Sequence, residues 1–203
     1  MDTTGRIIAP MNQRRIIQRC AVAAILLAAT AACAGSGSMT DKKTVEAYHE
    51  ALEQNPGHTA SIDQGVATFR QTFADLTRED LAGRIGELYA DTFYFNDTVH
   101  IARKRSELVD YMARTGESLE QNRVEVHKVI HDGADVYLRW EMTFITRAVG
   151  KRVESHSIGM THLRFDENGQ IVLHQDFWDS ASAIYAHLPM VGFFVRRAQR
   201  AMQ

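Results

Sequence analysis

Residues 153–178 read VESHSIGMTHLRFDENGQIVLHQDFW. Two strand-like runs, Val153 to Phe165 and Ile171 to Trp178, flank Asn168-Gly169, a dipeptide suited to the positive backbone angles of a tight hairpin turn. The stretch is therefore a β-hairpin. If Glu167-Asn168 forms the turn with Gly169 as a bulge, Asp166 pairs with Gln170. His162 then faces His174, Met160 faces Asp176 and Ile158 faces Trp178, with Leu163, Phe165, Ile171 and Leu173 on the other side. A slip of one residue would exchange the faces, because side chains alternate with a period of two.

Upstream, Asp132-Gly133 joins two more strand-like runs, Val124 to Ile130 and Val136 to Thr146. Trp140 keeps phase with Leu138, Met142 and Phe144 in the second of these. Before them the apolar period is 3.6. Val45, Tyr48 and Leu52 mark a short helix stopped by Pro56-Gly57. Val66, Phe69, Phe73 and Leu76 follow a Ser61/Gln64 capping box, and Leu81, Ile85, Leu88 and Tyr89 follow a weaker one, Thr77/Asp80. A short aromatic strand, Phe93 to Phe95, ends at Asn96-Asp97, and Ser106 to Arg114 reads as another helix closed by Gly116. From Ser180 the chain is helical again, with breaks at Pro189 and Gly192. Helices first, then a long antiparallel meander, then a closing helix give an α+β order, with helices on one face of a curved sheet.

The first 32 residues stand apart. Arg14, Arg15 and Arg19 precede an apolar run from Ala21 to Ala32, too short for a membrane span of roughly 20 residues and suited to a secretory signal. Met11 is the expected true start. Thr30-Ala31-Ala32-Cys33-Ala34-Gly35 resembles the lipobox of bacterial lipoproteins, with Thr30 where leucine is usual. Lipidation of Cys33 is one outcome, facing the periplasm from the outer membrane in a Gram-negative cell. Ordinary cleavage after Ala-x-Ala, releasing a soluble protein, is the other. The expected organisation is a signal over 1–32, a lipidated cysteine, flexible tether and accessory helix over 33–60, and one domain over 61–203. Cys20 and Cys33 are the only cysteines, so the domain holds together by its core. The leader carries Arg6, Arg14, Arg15 and Arg19 against Asp2, which leaves the remainder near −5 of the total −2. That charge argues against a nucleic-acid partner.

Several segments together resemble one family. They are Tyr89-x-Asp91 with Phe95-x-Asp97, Gly159-x-x-His162-Leu163-x-Phe165, His174-x-Asp176-Phe177-Trp178-Asp179, and Tyr185-x-x-Leu188-Pro189-x-x-Gly192. In this order they are similar to the SnoaL-like (polyketide cyclase-like) branch of the nuclear transport factor 2-like superfamily, over roughly residues 64 to 198. Thr98 departs from the proline often found after that aspartate. The resemblance implies a cone-shaped apolar pocket between helices and sheet. It does not fix one reaction, since this fold hosts enzymes, binding modules and assembly proteins.

By that resemblance Asp176 is the first candidate for acid/base work, with His162 or His174 as partner and Asp97 entering from the opposite wall. Tyr94, Trp140, Met160 and Trp178 are candidate pocket walls. An apolar setting shifts carboxyl and imidazole pKa values toward usable general acids and bases. No cofactor or metal is expected, the ligand being a small, mostly apolar molecule. Each residue also has a plainer use. Asp179 can cap the closing helix, Asp97 can close a turn, and the two histidines can form a cross-strand contact. The tail, Leu188 to Arg200, reads as a pocket-closing helix or a homodimer contact, or as an interfacial contact with an anionic membrane. A rival to the pocket is a cone filled with side chains, whose sheet binds a partner in the envelope.

Overall fold

The computed structural model describes residues 37–148, 151–188 and 190–202. The leader, Met11, the lipobox and Cys33 lie outside them. Helix α1 spans Gly37–Gln54, α2 Ile62–Phe73 and α3 Leu81–Leu88. Strands β1 (Tyr89–Asn96) and β2 (Ile101–Ala102) follow, then α4 (Arg105–Glu117). The meander is β3 (Leu119–Asp132), β4 (Asp135–Ala148), β5 (Lys151–Phe165) and β6 (Ile171–Trp178). A short helix α5 (Ser180–Ala183), a 3₁₀ turn (Tyr185–His187) and α6 (Val191–Ala201) close the chain. Gly37 and Ser38, the last residues of the small Gly/Ser-rich tether expected over 34–38, already belong to α1.

Tyr48 to Gln203 forms one compact unit, an α+β domain as the order of periods implies. Its six-stranded sheet runs β2-β1-β6-β5-β4-β3. All neighbours are antiparallel except β1 and β6, which run parallel. The apolar stripes of α2 to α4 (Phe69, Phe73, Ile85, Leu88, Leu108) meet Val136, Leu138, Leu163, Phe165 and Ile171 of the sheet in one buried cluster. Each such side chain contributes about 1.5–3 kcal/mol through removal from water. Gly133 (φ +57) and Gly169 (φ +79) take the left-handed conformations that their hairpin turns require.

Two expected details are corrected. Neither capping box forms: the Ser61 hydroxyl donates to the Asp166 carbonyl, and Asp80 pairs with Arg78 and Arg84. More consequentially, the β5–β6 register changes within the hairpin. Asp166 does meet Gln170, and Phe165 pairs with Ile171 as expected. Val172 is then an extra residue in β6, and beyond this bulge Arg164 pairs with Leu173, Leu163 with His174, His162 with Gln175 and Thr161 with Asp176. A bulge sets two residues against one and bends its strand. Here it also turns β5 over relative to β6, so His162 and His174 lie on opposite faces of the sheet. Two further register shifts in β3 add curvature around the helices.

Candidate functional site: two carboxyl groups in an apolar cone

The concave side of the sheet encloses a cavity of about 530 Å³, within the usual range for small-molecule sites. Phe69 and Phe73 of α2, Phe95 of β1, Tyr111 and Met112 of α4, and Trp140, Met142 and Phe144 of β4 supply most of its wall. Trp140 lies flat against β5 because its direct partner there is Gly159, where any Cβ would collide with the indole ring. The indole N–H donates to the Thr161 hydroxyl at 2.8 Å.

That hydroxyl passes the interaction on. Thr161 Oγ1 donates to Asp176 Oδ1 at 2.5 Å, and His174 Nε2 meets the same oxygen at 3.0 Å. His174 Nδ1 lies 2.7 Å from the Tyr89 hydroxyl. Burial, with Asp176 and Asp97 nearby, pushes the Tyr89 phenol well above its ordinary range, so it stays a donor. With the Tyr89 O–H donating to Nδ1, it is Nε2 that presents an N–H to Asp176 Oδ1. Both donors use Oδ1, and among the described residues none bonds Oδ2. That oxygen is available to an occupant of the cavity.

Asp97 enters from the β1–β2 turn, not from the opposite wall as expected: it follows Asn96, whose partner on β6 is Gln175, so it sits beside Asp176. Its Oδ2 accepts the Tyr111 hydroxyl at 2.6 Å, and its Oδ1 accepts the backbone N–H groups of Val99 and His100 at 2.9 and 2.7 Å. Burial pushes the carboxyl pKa up, and the Asp176 charge adds to this, outweighing the three hydrogen bonds. Trp178 Nε1 donates to the Asp97 carbonyl at 2.8 Å, which ties the turn to β6. Thr98 stands at φ +73 in that turn, a conformation closed to the proline frequent at this place in the family, whose ring fixes φ near −65°. A third polar group faces the apolar wall from β3: Asn122 Oδ1 accepts the Leu76 N–H, while its Nδ2 is buried without a partner.

Of the residues singled out in the sequence, Asp176, His174, Asp97, Trp140 and Trp178 line the cavity. His162, Tyr94 and Met160 do not; all three sit on the convex face. His162, only 1% exposed, meets Asp135 through Nε2 and Tyr48 through Nδ1, each at 2.7 Å, and stacks on Tyr137. Arg164 donates to Asp135 and to the carbonyls of Leu52 and Asn55, so this cluster fastens the end of α1 to the sheet. Tyr94 bonds Gln175 under the Arg103 guanidinium, and Met160 pairs with Arg139 and Phe177. Asp179 caps α5, accepting from the Ser182 N–H at 3.0 Å. Among the described residues no group of three His, Cys, Asp or Glu is placed to hold a metal ion.

Tyr89, Tyr111 and Thr161 are site residues that sequence reasoning misses. Tyr89 continues the apolar stripe of α3, Tyr111 falls inside a surface helix, and Thr161 alternates out of phase with the histidine expected in the pocket.

The family model for the SnoaL-like domain matches residues 69–174, just over half of the chain. The chain belongs to the SnoaL-like family. Solved structures agree at the level of fold. A protein of Shewanella denitrificans OS-217 named as a SnoaL-like polyketide cyclase is 14% identical, with a TM-score of 0.52, over 71% of this chain and 100% of its own. One from Shewanella putrefaciens CN-32 is 18% identical (TM-score 0.50, covering 69% and 98%), and one from Jannaschia sp. CCS1 is 15% identical (TM-score 0.50, covering 62% and 95%). No curated protein sequence matches. The SnoaL-like domain thus has the nuclear transport factor 2-like architecture, and its polar groups are the material for any reading of function.

Proposed function

We propose that this SnoaL-like domain takes a small, mostly apolar molecule into its cone and moves a proton on it without a cofactor. The observation that carries the reading is the presence of two carboxyl groups, Asp97 and Asp176, in a cavity otherwise walled by aromatic and aliphatic side chains. Asp176 Oδ2 is the general base, held in place by Thr161 and His174 on its other oxygen. Asp97, beside Asp176 on the neighbouring strand end and with its carboxyl pKa raised by burial, holds or returns a proton next to it. Ketosteroid isomerase works with a comparable set of groups, an aspartate base and a proton donor in an apolar pocket. Isomerisation, cyclisation and hydrolysis all fit such a pair. A filled cone, the rival expectation, is disfavoured by the open volume.

The domain works outside the cytoplasm in this reading, held at a membrane by acyl chains on Cys33. The arginine-led apolar leader and the small residues before Cys33 support export. Fractionation of cells expressing Cys33→Ser tests the anchor: retention of that variant on membranes to the same extent as the parent overturns it.

The chemistry is tested by incubating the protein with cyclic ketones and enones in deuterated water and following exchange at carbon by mass spectrometry. Exchange by the parent chain that Asp176→Asn abolishes, with ligand quenching of tryptophan fluorescence retained, is the expected result. Exchange unaffected by Asp176→Asn overturns the assignment of the base.

A further inference from the structure

Helix α6 carries its apolar residues on the wrong side for a helix that only closes a domain. Gly192 is buried and Val195 and Gln199 are partly covered, with Gln199 bonded to Ser182. These three mark the face turned toward the domain. Val191, Phe194, Ala198, Ala201 and Met202 are exposed, and their spacing (i, i+3, i+7, i+10, i+11) gathers them in one outward stripe. Phe193 and Phe194 are 58% and 65% exposed.

A basic band runs beside that stripe. Arg196, Arg197 and Arg200 carry its charge, and the segment 180–203 contains no Asp or Glu. Arg196 is fixed by a hydrogen bond to the Ala186 carbonyl. Arg197 and Arg200, 100° per residue round the helix, flank Phe193 on the outward side. The chain between Cys33 and Asp179 is acidic in balance, so the three arginines are a local exception and not a part of a general surface charge.

We propose that α6 lies in the interface of an anionic lipid bilayer, with Phe194, Val191 and Met202 among the acyl chains and Arg197 and Arg200 at the phosphates. An exposed apolar stripe bordered by cations without acids is complementary to a sheet of phosphates over hydrocarbon. No helix among the described residues is long and apolar enough to cross a membrane, so the contact is in-plane. The position adds a consequence for the cavity. Ile184 and Leu188 line it, so the segment that leads into α6 forms part of the cavity wall. This inference stands whether or not Cys33 is acylated.

The test uses the full chain with Cys20→Ser and Cys33→Ser, which removes both native thiols, and a nitroxide on Phe194→Cys. A second protein carries the label on Glu79→Cys, an exposed site before α3. Vesicles of phosphatidylcholine with and without phosphatidylglycerol are added. On the anionic vesicles the label at 194 should lose collisions with a water-soluble nickel relaxant severalfold and gain collisions with oxygen. The label at 79 should not change. Arg197→Glu with Arg200→Glu should abolish the effect. A label at 194 that stays as accessible on anionic vesicles as in buffer overturns the proposal. So does a label already shielded in buffer with a doubled molecular mass, which would make this face a contact between two copies of the chain.

Discussion

The Tyr111 hydroxyl donates to Asp97 Oδ2 at 2.6 Å, from a helix packed against the strand that ends one residue before the aspartate. The bond does not offset the burial of that carboxyl, whose pKa remains above its ordinary 3.8. A folded pKa raised above the unfolded one means that the folded state binds the proton more tightly. Stability from this group is therefore full below pH 3.8 and falls as pH rises through the folded value. Asp97→Asn keeps the acceptor for the Val99 and His100 N–H groups and removes the buried charge. It should stabilise the protein in urea denaturation near neutral pH and lose that advantage in acid. A gain independent of pH would show that the charge is not what burial penalises.

The helical stripes of α2 to α4 and the two turns at Asp132-Gly133 and Asn168-Gly169 are legible because burial imposes periodicity and positive φ imposes glycine or asparagine. His174, Asp176 and Trp178 group correctly on one face of β6, since a strand beyond a bulge still alternates. Their expected partners on β5 are inverted. Val172 adds its residue to β6 without a glycine or proline to mark it, so the one-residue shift leaves no sign in the sequence. Val172 exchanges His162, Met160 and Ile158 for Leu163, Thr161 and Gly159 on the cavity side. Tyr89 and Tyr111 escape for another reason: their hydroxyls act on groups far away in sequence, which local patterns do not report.

Thr161 joins two parts of the site, accepting from the Trp140 indole and donating to Asp176. Thr161→Val keeps the shape and deletes both bonds. The indole N–H is then buried without an acceptor, a loss of roughly 1–3 kcal/mol. Urea denaturation should show that loss, and any proton-exchange activity should fall with it. Thr161→Ser restores the hydroxyl and should recover most of both. A valine variant as stable as the parent would mean that the Trp140 N–H finds another partner.

On the convex face, burial lowers the His162 pKa below its ordinary 6.5, and the Arg164 charge adds to this, while the hydrogen bond and charge of Asp135 oppose it. Tyr48, its own pKa pushed up to about 12 by burial, remains a neutral donor to Nδ1. A depressed histidine pKa means that the unfolded or undocked chain takes up the proton first. The contribution of His162 is present above pH 6.5 and is lost as pH falls toward the folded value. Amides of residues 48–55 should exchange with solvent faster at about pH 5.5 than at about pH 7.5, after correction for intrinsic rates. His162→Gln should remove most of that dependence. Equal protection at both pH values in the parent would disconnect His162 from the docking of α1.

Gly159 and Trp140 make the sharpest steric claim on the cavity wall. They are direct partners across β4 and β5, and a Cβ at 159 would enter the indole ring. Gly159→Ala therefore displaces Trp140 toward the cavity, and overpacking of this kind costs typically about 1–3 kcal/mol. Replacing the indole by a smaller ring gives the new methyl room, so Trp140→Phe should be less harmful in the Gly159→Ala background than in the parent. The double-mutant cycle isolates that coupling from the separate loss of the bond to Thr161. Thermal or urea unfolding of the four proteins measures it. Strictly additive effects would mean that the backbone of β5 shifts to admit the methyl, and that glycine is not what holds Trp140 flat.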